Sequence, residues 1–428
     1  MEHSEHYVAG TGEKLQYLVH NFNDNTIRFI LHYPGCPDSA VLRLAMKRVI
    51  ESSAVLHSSF CAGRVRAFWK VNETYEESDY FQLTETEGNL MELACESVAR
   101  AVLPEDKTQM SCHLLTSSGE SVLVVRISHL CVDGSDGKYL LAKLAEAYQM
   151  IAEQGTADGL VIKDGSRRAE QVYEQISKKD YMSLMHNPIP KIKSVFPYPT
   201  EKAGEGKLLF EKIPAQVLVK AKEKAMKAGG TLNDVLLTAF YYAYAALPGK
   251  GAEEPMSIMS MMDLRKHCKA GDSEGLCNIT GSLPTALPDG LGERFEDTLE
   301  QIVTQTRAQK EDPLAGMEGM PLLHGVIRTF PMGMLQKAAK HVYGSMAVGL
   351  TNLGVLQEEE FALGNLEPDM AVFGGPLKKK PAMQVSAISL GGDCVLSVAG
   401  EMTEEDEVLI VRTLKQICME VEKFAGGN

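Results

Sequence analysis

The chain has 428 residues, 44% hydrophobic and 23% charged, with a formal net charge of −14. That length suits two units of roughly 200 residues better than one core. The acidic balance argues against nucleic acid as a partner, and no apolar run approaches the roughly 20 residues of a membrane helix.

The opening stretch MEHSEHYVAGTGEK is polar and does not read as a secretory signal. Cysteines stand at positions 36, 61, 95, 112, 131, 268, 277, 394 and 418 without paired spacing. They read as reduced thiols of a cytoplasmic protein, and no set of them has metal-ligand spacing. TIRFILHY (26–33) is rich in β-formers and predicts a strand. DSAVLRLAMKRVIESSAVL (38–56) predicts a helix capped by Asp38 or Ser39, with Leu42, Ala45 and Val49 on its apolar face. GRVRAFWKV (63–71) predicts a strand and NLMELACESVARAVL (89–103) a helix. MSCHLL (110–115) and SVLVVRISH (121–129) predict strands of a sheet buried on both faces. A helix over 136–153 follows.

Residues 154–208 lose this regularity, and NPIPKIKSVFPYPTEKAGEG (187–206) reads as a crossover between halves. The second half predicts helices over 214–229 and 229–247, the latter capped by Thr231 or Asn233. It continues with a strand over 256–264, the segment 278–287, a helix over 297–311, strands over 345–354, 382–391 and 394–400, and a closing helix over 404–424. The composite expectation is an α/β protein with mixed sheets, organised as residues 1–170, a linker 171–208, and residues 209–428.

The stretch ISHLCVDG delivers His129 from the end of a buried strand into a loop holding Asp133 and Gly134, with a helix behind. Imidazole is suited to moving a proton near neutral pH. Asp133 is poorly placed for a protease-style relay and is expected to pin the turn through an arginine. Gly134 removes a Cβ, which allows positive φ and close approach. On the residues alone, two readings stay open: a proton carrier, or a histidine that closes a strand.

H-x-x-x-D-G at such a junction resembles the motif of the chloramphenicol acetyltransferase-like superfamily. That superfamily includes peptide-synthetase condensation domains, plant acyltransferases and alcohol acetyltransferases. LHYPGCPDSAVLRLAMKRVIESSAVLHSSF (31–60), TLNDVLLTAF (231–240) and MMDLRKHCKAGDSEGLCNITGSLP (261–284) resemble its other conserved segments in order. The resemblance implies two acyltransferase-like halves forming a pseudo-dimer around a central tunnel. It makes His129 the general base that takes a proton from a hydroxyl or amine acceptor. It pairs Asp133 with Arg265 to hold the loop. It also implies no permanently bound cofactor and no metal, with acyl-CoA or a phosphopantetheine thioester as co-substrate. An acyl or peptidyl carrier protein is the partner it allows. Two features depart from the relatives. Ser128 stands where condensation domains usually carry a first histidine, and the late D-F-G-W-G of the plant enzymes is absent. Carrier-dependent condensation and a non-catalytic binding protein on the same fold remain as alternatives.

Thr351 and Asn352 match a segment that lines the tunnel in related enzymes, against the plain reading of an Asn-directed turn. Gln384 and Ser386 alternate on a late strand and share one face. Together these four residues are the candidate substrate contacts. Cys131 is expected to pack. LKKKP (377–381) reads as a solvated basic loop, or as a contact for coenzyme A phosphates or an acidic carrier protein.

Overall fold

The computed structural model describes residues 6–63, 66–163, 165–185, 192–268, 275–343 and 348–426. Parts of several stretches singled out from the sequence lie outside them: 1–5 of the opening stretch, 64–65 of the strand expected over 63–71, 187–191 of the crossover, 269–274 behind Arg265, and 345–347 of an expected strand. In chain order the first half comprises β1 (His6–Val8), α1 (Thr11–Val19), β2 (Thr26–Tyr33), α2 (Ser39–Glu51), β3 (Ser58–Ala62), β4 (Ala67–Val71), α3 (Glu77–Tyr80), β5 (Phe81–Glu85), α4 (Leu90–Ser97), β6 (Met110–Ser117), β7 (Glu120–Ser128), α5 (Gly134–Gln154) and α6 (Lys178–Leu184). The second comprises β8 (Glu205–Ile213), α7 (Ala215–Lys227), α8 (Leu232–Ala245), β9 (Met256–Asp263), β10 (Thr280–Leu287), α9 (Phe295–Glu311), α10 (Met320–Thr329), α11 (Met332–Tyr343), β11 (Gly349–Val355), β12 (Met370–Gly374), β13 (Gln384–Leu390), β14 (Asp393–Met402) and α12 (Glu404–Gly426).

Two mixed sheets organise these elements, in the orders β12-β2-β7-β6-β5 and β10-β9-β11-β13-β14-β8. A small sheet, β1-β4-β3, lies beside the first. In the first sheet β2 and β7 are buried along nearly their whole length. Ile27 and Phe29 point to α5, where they crowd Gly137, while Arg28 between them points to the other face and meets the end of α4. That alternation is the period-two pattern of a strand covered on both sides. In the second sheet, α7, α8 and α12 pack together over the strands. Among the described residues no helix is long and apolar enough to cross a membrane.

The helix starts follow from local chemistry. Asp38 accepts from the Ala40 and Val41 amides at 2.8 and 3.2 Å, as an N-cap should. For α8 the N-cap is Thr231, one of the two residues expected, and it is paired with Asp234. The Thr231 amide and hydroxyl both donate to Asp234 Oδ2 at 2.7 Å, and the Thr306 hydroxyl donates to Oδ1 at 2.7 Å. Asp234 is thereby committed to structure. The helix expected over 89–103 stops at Ser97, and the strand expected over 63–71 is described as β4 from Ala67 to Val71.

One connection brings the two halves together. β12 comes from the second half of the sequence but pairs antiparallel with β2, Val372 lying opposite Ile30. The chain then returns through Lys378, which bridges Asn23 on one side and Gly400 of β14 on the other.

Candidate active site

β7 ends at Ser128, and the His129 amide continues the ladder by donating to the Asn25 carbonyl at 2.7 Å. The backbone then turns sharply, and Asp133 caps α5 by accepting from the Ser135 and Asp136 amides, each at 3.1 Å. His129 is thus fixed between a strand end and a helix start. Its Nδ1 lies 2.7 Å from the Val132 carbonyl. A carbonyl only accepts, so Nδ1 carries the proton and the basic lone pair is on Nε2. Among the described residues Nε2 has no hydrogen-bond partner. The site's electrostatics keep the imidazole neutral. Burial lowers its pKa, Lys378 opposes a positive ring, and the Val132 bond and the Asp133 charge only partly offset this. The acid limb of a His129-dependent reaction is therefore expected below the ordinary histidine value of about 6.5, activity being lost as the pH falls through it. A pH–rate profile of kcat/KM measures this.

Asp133 does not touch the histidine ring. Arg265 Nη1 lies 3.0 and 2.8 Å from its two carboxylate oxygens, as the sequence reading expected of the pair. The geometry differs from a two-pronged fork on one carboxylate. The other guanidinium nitrogen, Nη2, goes to Asp136 at 2.8 Å and to the Cys277 carbonyl at 3.1 Å, while Nη1 also meets Asp263 at 3.1 Å. One arginine therefore serves three carboxylates among the described residues, and Asp133 and Asp136 are each almost fully enclosed. Asp133 Oδ2 further accepts from the Ile279 amide at 2.9 Å, and Asp136 from the Cys277 amide at 2.8 Å. The loop before β10 is held to the motif helix by these bonds. Burial and the adjacent Asp133 push the Asp136 carboxyl up to about 6.

Gly134 is needed for close approach, but its φ is not positive. A Cβ there would lie 2.5 Å from the Leu353 side chain of β11. Thr351 and Ser386 face each other across the parallel β11–β13 pair, with Gln384 next on the same face. Gln384 and Ser386 both approach Gly375. Asn352 points the other way. Its Oδ1 accepts from the Gly354 amide at 2.9 Å and its Nδ2 contacts Asn233 Oδ1 at 3.3 Å, so it shapes the strand end. Thr351, Gln384 and Ser386 are thus grouped, and Asn352 is set apart. An open groove of about 670 Å³ runs along α5 from Ser135 to Gln149, with Glu359, Glu360 and Gly364 on its far wall.

Two other sequence readings were tested by the side chains. Cys131 is fully buried and its thiol is pushed well up by burial, as a packing residue should be. The LKKKP run is not a free basic loop. Lys380 contacts Asp406 at 2.5 Å and the Thr200 and Lys202 carbonyls, and Lys379 approaches Glu401 at 3.7 Å. Lys378 is turned inward, and burial pushes it down to about 8.

Asn278 is the residue that sequence reasoning missed. Its Nδ2 donates to the His129 carbonyl at 3.2 Å and lies 3.0 Å from Nδ1. It comes from the loop before β10 in the other half of the sequence, and its only sequence cue was its place in the segment behind Arg265. Asn278→Ala is expected to lower kcat roughly tenfold or less, the worth of one hydrogen bond, with KM and melting temperature little changed. Steady-state kinetics separate these terms.

No family model matches the sequence, and none of the curated proteins matches it significantly. Solved structures do. The first condensation domain of the calcium-dependent antibiotic synthetase aligns with a TM-score of 0.69 at 16% identity, over 98% of this chain and 97% of that one. A trichothecene 15-O-acetyltransferase from Fusarium sporotrichioides aligns with a TM-score of 0.69 at 10% identity, over 97% and 95%. Polyketide synthase associated protein 5 from Mycobacterium tuberculosis gives 0.67 at 15%, over 96% of each chain. The chain therefore has the chloramphenicol acetyltransferase-like fold, two α/β halves arranged as a pseudo-dimer, from end to end.

Proposed function

We propose that this chain is an acyltransferase that moves an acyl group from a thioester to a hydroxyl or amine acceptor, with His129 as general base. The observation that carries the reading is the Nδ1 contact with the Val132 carbonyl at 2.7 Å, which leaves the Nε2 lone pair open on a rigid loop. Nε2 takes the acceptor's proton as its oxygen or nitrogen attacks the thioester carbonyl. The tetrahedral oxyanion collapses, the C–S bond breaks, and the proton on Nε2 passes to the departing thiolate. Asp133 and Arg265 act as positioning residues for the loop, and Gly134 lets Leu353 close against it. Thr351, Gln384 and Ser386 are the side chains suited to donating hydrogen bonds to substrate or oxyanion. Asn352 supports that strand end.

Free acyl-CoA is the donor we favour, with no permanently bound cofactor. A neighbouring starter condensation domain was solved with C8-CoA and Leu-SNAC, which supports thioester chemistry in this fold. The condensation domains among the neighbours favour a second reading, in which a carrier protein delivers the acyl group. Thiol release from a panel of acyl-CoAs with pooled alcohols and amines tests the first reading. Turnover only with a phosphopantetheinylated carrier would select the second. Ligand binding without turnover from either donor would mean a binding protein.

A further inference from the structure

We propose that the first sheet holds a buried binding site for a small oxyanion or carboxylate, built on Arg126. β7 presents Arg126 on the face away from α5, directly across from Arg28 on β2 and Ser111 on β6. His113, two residues further along β6, shares that face. The segment after α4 roofs it: the Val98 carbonyl accepts from Arg28 Nε at 2.7 Å, and the Val102 amide donates to Thr26 Oγ1 at 2.9 Å.

The two arginines differ. Arg28 is saturated by Asp24 and by the carbonyls of Thr26 and Val98. Arg126 is 2% exposed, and among the described residues it has no hydrogen bond and no ion pair; its Nε is enclosed and unpartnered. His113 Nδ1 is enclosed and unpartnered as well, its Nε2 standing 2.9 Å from Thr84 Oγ1. The guanidinium groups facing Arg126 are Arg100 and Arg28, and among the described residues no carboxylate acts on it. Burial first and these like charges next push Arg126 down to about 10, and burial with the arginines pushes His113 down to about 4.

An enclosed guanidinium with like-charged neighbours and no acceptor is unfavourable on every count: desolvation, repulsion and unmade hydrogen bonds. One bound anion removes all three. The planar fork suits two in-plane oxygens better than a halide, and the Ser111 hydroxyl and a His113 N–H can complete the shell. The inference does not depend on acyl transfer.

Melting temperature of the whole chain, titrated with phosphate, sulfate or acetate, tests it. Ionic strength is held constant with sodium chloride, whose halide the planar fork suits least. Wild type is expected to rise by several degrees along a saturating curve for one of the oxygen anions. Arg126→Met should melt higher than wild type in buffer without these oxygen anions and lose the saturable rise. Phosphate or sulfate acting alone identifies an inorganic ligand, and acetate acting identifies a carboxylate. A wild type with no saturable response, or a variant that keeps the full response, overturns the proposal. If Arg126→Met does not fold, Arg126→Lys replaces it, keeping the charge without the fork. Calorimetric titration should then show at least about tenfold weaker anion binding, and undiminished affinity overturns the site.

Discussion

His129→Ala is expected to lower thiol release from the preferred acyl-CoA at least about a hundredfold while leaving the fold intact. Among the described residues the ring makes one hydrogen bond, from Nδ1 to the Val132 carbonyl, so its removal costs about 1 kcal/mol of stability. The loop's shape rests instead on Asp133 and Arg265, which the substitution leaves in place. The loss should therefore lie in kcat, because the acceptor's proton has lost its destination. Other histidines are poor substitutes. His324 is buried against the Tyr173 hydroxyl at 2.7 Å, and His113 is held to Thr84 and kept from protonation by burial and then by its arginine neighbours. Equal thiol release by wild type and variant would sink the assignment of the base. Thiol release absent in both, with turnover restored by a carrier thioester, would keep the base and change the donor.

The parts of this site that lay in one stretch of sequence were legible, and the parts assembled from distance were not. The run from β7 to α5 declares itself through a buried strand, a histidine and an Asp–Gly helix start within eleven residues or so. Arg265 could be paired with Asp133 only through the family resemblance, since 132 residues separate them. Asp136 was not singled out from the sequence, and nothing local says that it shares the arginine. Asn278 was hidden for the same reason. β12 escaped notice because MAVFG is short and runs into glycine and proline, and its partner is β2 from the other half. β8 reads EGKLLFEKI, whose charges mask a strand at the edge of a sheet. α10 carries Pro321 and Gly325, which mask its helical period. The single lysine run misled because its charge is spent internally, on Asp406 and on backbone carbonyls.

Arg265→Met should be the most damaging single substitution for stability, costing about 3–5 kcal/mol near pH 7. It leaves Asp133 and Asp136 side by side, each almost fully enclosed, with their shared cation gone. The pH dependence follows from the sign of the shift. Asp136 already binds its proton more tightly folded than unfolded, at about 6 against 3.8, so its favourable contribution is full below about pH 4 and fades as the pH rises through about 6. Without the arginine that window moves to higher pH and the deficit at neutrality grows. Chemical denaturation at about pH 7.5 and about pH 5 should show the variant regaining much of its loss on acidification, whereas wild type changes less. Adding Asp133→Asn and Asp136→Asn to Arg265→Met should restore most of the stability at pH 7.5. Asparagine still caps α5, and no buried charge is then left alone. Activity should not return with it, because the Ile279 and Cys277 amides lose their charged acceptors and the loop that carries Asn278 to His129 is no longer tied to the motif helix. A triple variant that stayed unstable would mean that Arg265 holds the two halves together by packing, and one that regained full activity would separate the charge cluster from the chemistry altogether.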